Sequence, residues 1–322
     1  MLDLRRLALV IFAAVLPASA GAQGWPTRPV HMIIPAGPGG PIDSIMRPVA
    51  QSLSEAFGQQ FIVENRGGGE GVIAAEACAK ATPDGYFLCG VTKAVAIYGP
   101  VLHRNLSYDP ERDFTPVAYL GEFDAAIVVH PSVPANTIAE LIEYAKSKPN
   151  AVTFANFGAN TPSYFYMEWF RKVRGAPFLG VPYKTAVQSQ TAVVAGEVMV
   201  NYFGATQSAA MVKAGRLKAL AVSSDERLPY LPGVPTFREA GIDLHISLWN
   251  GLLAPKGTPR DVVQRVNAHI VKTMSDPQFA AKFLTRLGVK PVNMTPEQFG
   301  AMMRRETADF AELAKTLGLK VQ

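Results

Sequence analysis

The residues best placed to do chemistry form one short run, Gly37, Pro38, Gly39, Gly40, Pro41, Ile42 and Asp43, where the apolar segment VHMIIP gives way to a helical pattern. Glycines at a strand-to-helix junction keep Cβ atoms out of a ligand's way, and the first N–H groups of a helix attract an anion. Two kinds of anion fit such a junction: the pyrophosphate of a dinucleotide, or a smaller free anion. The dinucleotide frame G-x-G-x-x-G requires a third glycine for close packing, and here Gly37 and Gly39 are followed by Ile42 in that place. Glu64 does stand about where a ribose-binding acid is expected, but the missing glycine favours the small anion. Asp43 then reads as the N-cap of the helix, accepting first-turn N–H groups, because a carboxylate facing an anion would oppose its binding.

A hydrolase is the competing class. The chain has no G-x-S-x-G elbow, no H-E-x-x-H and no cysteine beside a histidine in sequence. The five histidines are dispersed without metal-ligand spacing, so neither metal nor cofactor is expected. The chain's formal charge is +5, spread without a basic stripe or aromatic interleaving. That pattern excludes nucleic acid as a natural partner and mildly favours anionic solutes.

Met1 to Gln23 combines Arg5 and Arg6, an apolar run from Leu7 to Leu16, and small residues at Ala18, Ala20 and Ala22. The apolar run is about ten residues, against the roughly twenty that a bilayer span needs, so residues 1–22 read as a secretory signal peptide cleaved near Ala20 to Ala22. In an exported chain, Cys78 on the helical stretch GVIAAEACAKA and Cys89 on the next strand YFLCGV are expected to form a disulfide; two buried free thiols are the alternative.

The elements that must position these groups alternate. Strand PVHMIIP leads to helix DSIMRPVAQSLSEAFG, in which Pro48 warns of a kink; strand QFIVEN leads to the Cys78 helix and strand YFLCGV. One extended segment, FTPVAYLGEFDAAIVVHPSVPA, follows, and the strand and helix pattern then restarts. A second extended segment, LHISLWNGLLAPKG, precedes helices near Pro259 to Ser275, Pro277 to Leu287 and Pro296 to Leu317. Alternation implies α/β units with mainly parallel sheets. Roughly 300 mature residues suggest two domains, and two extended crossings suggest two lobes with a ligand cleft between them. The expected division is 23–122 with 249–322 for the first lobe and 123–248 for the second, in a chain acting as a monomer.

The ordered series PAGPGGPID, VENRGGGEG, AKATPDGYFL, YDPERDFTPVA, VPYK, KAGRLKALAVSS, LPGVPTFREAG and APKGTP resembles the Bug family of extracytoplasmic solute receptors, from about Trp25 to the C-terminus. That resemblance implies a type II periplasmic binding protein fold that closes on a small ligand, commonly a carboxylate, and a tripartite tricarboxylate permease as a possible membrane partner. It also implies a second-lobe ligand clamp at NFGANTPSYFYMEWF, from Gly158, Asn160, Thr161 and Ser163, with Thr161 as a helix cap and Pro162 at the first helical position. Tyr183 of VPYK and Gly204 after strand VMVNYF belong to the same expected site.

The chain departs from the family where Tyr164 replaces a histidine, Thr185 and Ala186 replace a glycine pair, and Tyr202, Phe203 and Gly204 stand for FDN. Lys93, after Thr92 at the end of strand YFLCGV, could offset these losses by pairing with a ligand carboxylate; a solvated loop lysine is the plainer reading. Tyr164 and Phe203, nearer loop ends, are candidates to face a flat or aromatic ligand. Trp169 and Phe165, at helical spacing, are expected in the core.

Overall fold

The computed structural model describes residues 24–156 and 158–321, so the expected signal peptide lies outside the described residues. The chain begins with β1 (Val30–Ile34), α1 (Pro41–Phe57), β2 (Phe61–Asn65), α2 (Val72–Ala79) and β3 (Phe87–Thr92). A π-helical turn at Ala94–Tyr98 leads to the short α3 (Gly99–Leu102) and α4 (Pro110–Asp113), and then to β4 (Phe114–Phe123). After Asp124 come β5 (Ala125–Val129), α5 (Ile138–Ser147), β6 (Thr153–Asn156), α6 (Pro162–Lys172), β7 (Leu179–Pro182), α7 (Ala186–Ala195), β8 (Val200–Gly204), α8 (Ala205–Lys213) and β9 (Lys218–Val222). The chain returns through β10 (Leu248–Pro255), α9 (Arg260–Met274), α10 (Pro277–Phe279), β11 (Val289–Lys290) and α11 (Pro296–Thr316).

These strands make two sheets, ordered β11-β4-β10-β3-β1-β2 and β7-β6-β8-β5-β9. β1 is parallel to β2 and β3, and β6 is parallel to β7 and β8, so in each sheet three strand ends open on one edge. The sheets are nonetheless mixed and not mainly parallel as expected, because the crossing strands β4, β5 and β10 return antiparallel to their neighbours. The continuous apolar run in β1 follows from burial on both faces. Met32 and Ile34 pack with Ile42 and Met46 of α1 and with Val266 of α9, while Ile33 packs with Cys78 and Cys89 on the opposite face.

The first extended segment divides into β4 and β5 at Asp124, each belonging to a different sheet; the second becomes β10. α1 continues through Pro48 over 17 residues. The single helix expected over Pro277 to Leu287 is instead α10 followed by a π turn, Ala280–Leu284, and a 3-10 turn, Thr285–Leu287, which stops at Gly288 with φ 67°. A left-handed glycine there ends helical propagation.

One helix unites the sheets. α11 packs against β4 of the first sheet through Phe299, and its C-terminal part reaches α6 of the second, where Lys172 Nζ donates to the carbonyl of Leu317. Phe310 lies between Tyr98 and Phe165, with ring centroids at 4.5 and 4.9 Å. A single hydrophobic cluster thus runs through both lobes.

Cys78 and Cys89 are bonded, with Cα atoms 6.0 Å apart and both residues buried. The bond ties α2 to β3. Closing a loop of about twelve residues stabilises the fold by on the order of 3 kcal/mol in the chain-entropy account. Reduction, or a Cys78→Ala/Cys89→Ala double variant, should lower stability by about that amount in chemical denaturation. Thiol labelling of unfolded, unreduced protein should find no free cysteine.

Candidate functional site

The loop between β1 and α1 is held open by its own geometry. Gly39 takes φ 82°, a conformation that glycine adopts without strain. Gly40, at φ −71° and ψ 166°, is the N-cap of α1, and Pro41 follows inside the first turn. Asp43 is therefore not the cap, as its position after the loop suggested. Pro41 has no N–H to lose and a ring that presets helical φ, so the helix starts two residues earlier than Asp43.

Asp43 nonetheless shapes the loop, from the third helical position. The residue is 3 % exposed, and its carboxylate accepts the Gly39 N–H at 2.9 Å, Asn65 Nδ2 at 2.9 Å and Arg47 Nε at 3.0 Å. Burial by itself would raise its pKa. The hydrogen bonds from Arg47, Gly39 and Asn65 and the Arg47 charge outweigh that, so Asp43 stays below the usual carboxylate range. Arg47 balances its charge, and the first turn of α1 carries no side-chain cap.

Three loops converge at this point. A Cβ on Gly67 would lie 3.3 Å from the Gly37 nitrogen, so the glycine run after β2 packs directly on the first loop. From that run Glu70 reaches the second lobe, where a Cβ on Gly158 would stand 3.1 Å from Glu70 Oε1. At Gly37 and Gly39 an added Cβ would meet nothing within 4 Å, so the space above them is open.

The second-lobe loop has the expected start: Thr161 is the N-cap of α6 and Pro162 opens the helix. The Thr161 hydroxyl does not cap, however. It donates to the Gly158 carbonyl at 2.6 Å and lies 3.1 Å from Ser163 Oγ, leaving the first turn of α6 without a side-chain cap, as in α1. By contrast α5, α7 and α11 are capped by Thr137, Thr185 and Thr295. α2, α8 and α9 also lack a side-chain cap, so what sets α1 apart is the open space above Gly37 and Gly39, whereas Gly158 before α6 is faced by Glu70. Asn160 is buried beside Gly158.

The other expected residues divide. Thr92 is half-buried at the end of β3, and Tyr164 is half-buried beside Phe165. Tyr183 is half-buried, its N–H donating to the Asn156 carbonyl at 2.7 Å. Gly204 is the N-cap of α8. Phe203, 6 % exposed, packs with Ala126, Val128 and Ala155 in the second lobe's core, which takes it away from a ligand face. Phe165 and Trp169 are core residues, as expected.

Lys93 is not a solvated loop residue and is already paired. It is 8 % exposed; its Nζ lies 3.1 Å from Glu306 Oε2 and donates to Ser247 Oγ at 2.8 Å. Glu306 also accepts Trp249 Nε1 at 2.7 Å, so β3, β10 and α11 are tied together. Burial pulls the Lys93 ammonium below its usual range, with Glu306 opposing. It lines a cavity of about 660 Å³ beside the second crossing, with Glu122, Arg305 and Asp309, and none of the glycine-loop residues borders that space. Glu306 is 213 positions further along the chain, too far for any local pattern to reveal the pairing. Glu70 is likewise absent from the residues expected at the site; its only signal in sequence is a lone acidic side chain in the run RGGGEG.

Two α/β sheets whose strand ends and glycine loops face a shared cleft define a two-lobed binding protein of the periplasmic class. A family model described as tripartite tricarboxylate transporter family receptor matches residues 45–319, and the chain belongs to that family. The matched segment begins just after the β1–α1 loop. A UPF0065 protein of Bordetella bronchiseptica is 34% identical over 314 residues, covering 98% of this chain and 92% of the relative. The structure of R. palustris Rpa4515 with adipate has a TM-score of 0.85 at 30% identity, covering 92% of this chain and 99% of that one. The periplasmic binding protein BugD has a TM-score of 0.82 at 31% identity, covering 92% and 100%. Resemblance to the Bug family, read from motifs, and the fold it implied are thus established.

Proposed function

We propose that this receptor captures a small carboxylate in the interlobe cleft and delivers it to a tripartite tricarboxylate-type membrane permease or to a sensor. The observation that carries the reading is that the loop before α1, open above Gly37 and Gly39, meets the Gly158 loop before α6 across the cleft, and both helices start without a side-chain cap. Each turn presents a positive dipole end; at α6 the Tyr164 N–H is taken by the Thr161 carbonyl at 3.0 Å, which leaves Ser163 as the first-turn donor, and Arg47 balances the one buried acid beside α1. The adipate held by Rpa4515 supports the same ligand class. In this reading Gly37, Gly39 and Gly40 cradle one carboxylate, Gly158, Asn160 and Ser163 close from the second lobe, and Thr92, Tyr164 and Tyr183 border the ligand.

The division into 23–122 with 249–322 and 123–248 puts the hinges at Asp124 and near Ser247. Export through the signal peptide puts the receptor in the periplasm. It acts by binding and not by turnover, and membership of a receptor family supports this over a hydrolase.

A thermal-shift panel of mono-, di- and tricarboxylates at neutral pH tests the proposal. A ligand at a hundred times its Kd stabilises by about 2.7 kcal/mol, which corresponds to a rise of several degrees in Tm. The same samples, assayed for new products, should contain the ligand unchanged. Absence of any shift at millimolar concentrations, or accumulation of a product, would overturn the reading.

A further inference from the structure

We infer that Glu70 makes this receptor select monocarboxylates over dicarboxylates of the same length; the inference rests on the carboxylate-binding reading above. Glu70 lies in a glycine run in which Gly68, Gly69 and Gly71 all have positive φ. It shares that conformation at φ 55°, and among the described non-glycine residues only Asn150 does likewise. Left-handed backbone is costly for a side chain with a Cβ and free for glycine, so a glutamate here stands against local preference. Such an outlier points to the use of the side chain itself.

That side chain crosses the cleft. Oε1 comes within 3.1 Å of where a Cβ on Gly158 would be, and Oε2 lies 3.5 Å from His103 Nε2. Among the described residues, no lysine or arginine forms an ion pair with it. The loop that carries it packs on Gly37, so one short segment links the cradle of α1 to the uncapped turn of α6. Glu70 therefore places an anion at the second lobe's end of the cleft, where the dipole of α6 favours one.

A dicarboxylate held at α1 by one end would bring its other carboxylate up against Glu70. Like charges at such separation repel; with its side chain 43% exposed Glu70 is partly screened by water, so the discrimination is of modest size. A monocarboxylate with an uncharged or hydrogen-bond-donating far end meets no such opposition. Glu70 thus acts as a built-in counterpart of the second carboxylate.

Calorimetry on the wild type, Glu70→Gln and Glu70→Gly with the matched pairs butyrate and succinate, and hexanoate and adipate, tests the inference. Glycine suits the local backbone and glutamine keeps the side chain's size, so circular dichroism and Tm of both variants should remain native. The wild type should bind the monoacid of each bound pair at least about tenfold more tightly. Both variants should erase that preference through a gain for the diacid, with the monoacid little changed. Binding with a monoacid-to-diacid ratio that neither variant alters would overturn the role of Glu70 while leaving carboxylate binding intact. Failure of all four acids to bind any of the three proteins would instead overturn the carboxylate reading, and the inference with it.

Discussion

Gly40→Val is expected to weaken carboxylate binding by about a hundredfold, the equivalent of losing a charge-assisted hydrogen bond or two, while leaving the melting temperature within a few degrees of wild type. The backbone at Gly40 is extended, with φ −71° and ψ 166°, which a β-branched residue adopts readily. A Cβ there would make ordinary contacts, 3.6 Å from the Gly37 carbonyl and 3.8 Å from Ala36 Cβ. The added methyls would crowd a loop whose glycines leave the approach to α1 open.

Asp43→Ala should behave in the opposite way. It removes the acceptor of Gly39, Asn65 and Arg47 and should destabilise by on the order of 3 kcal/mol, with affinity falling only as far as the loop loosens. Because the folded pKa of Asp43 lies below its ordinary value of 3.8, its contribution is fully present above that value and fades as pH falls through the folded pKa. The stability difference between wild type and Asp43→Ala should therefore shrink only below about pH 4. Paired calorimetry and denaturation decide the matter. Unchanged affinity in Gly40→Val would sink the cradle, and abolished binding in Asp43→Ala at native stability would make Asp43 a ligand partner instead.

The second large effect is expected far from the glycine loops. Phe310→Ala should cost about 3–5 kcal/mol, the range for emptying a buried phenylalanine site. Phe310 is buried between Tyr98 of the first lobe and Phe165 of the second, and those two rings are themselves 5.0 Å apart. Because the cluster is continuous across both lobes, wild-type protein should unfold in one cooperative transition. Removing the ring leaves a void that rigid neighbours from three elements cannot fill together. Urea denaturation followed by fluorescence and by circular dichroism provides the check. A loss under about 1 kcal/mol would mean that α11 is a peripheral helix and not a tie between lobes.

Much of this protein was legible in one dimension, because its signals are local. Backbone freedom at Gly37 to Gly40, a proline at the first turn of α6, and alternating strands and helices each act within a few residues. They were enough for the two-lobed class, the two crossings and the two loops that meet at the cleft. Even the disulfide followed from a helix and the strand directly after it. What tertiary structure alone decided involves groups distant along the chain. Lys93 passes from candidate ligand partner to buried tie only because Glu306 and Ser247 fold against it. Phe203 turns into the core because its strand is covered on that face. α11 becomes a strap between lobes through the contacts of Phe310 and Lys172. Glu70 gains its meaning from Gly158, which stands opposite it only once the lobes are in place. Local conformational preference is written into neighbouring residues, whereas charge pairing and burial depend on which surfaces the fold brings together.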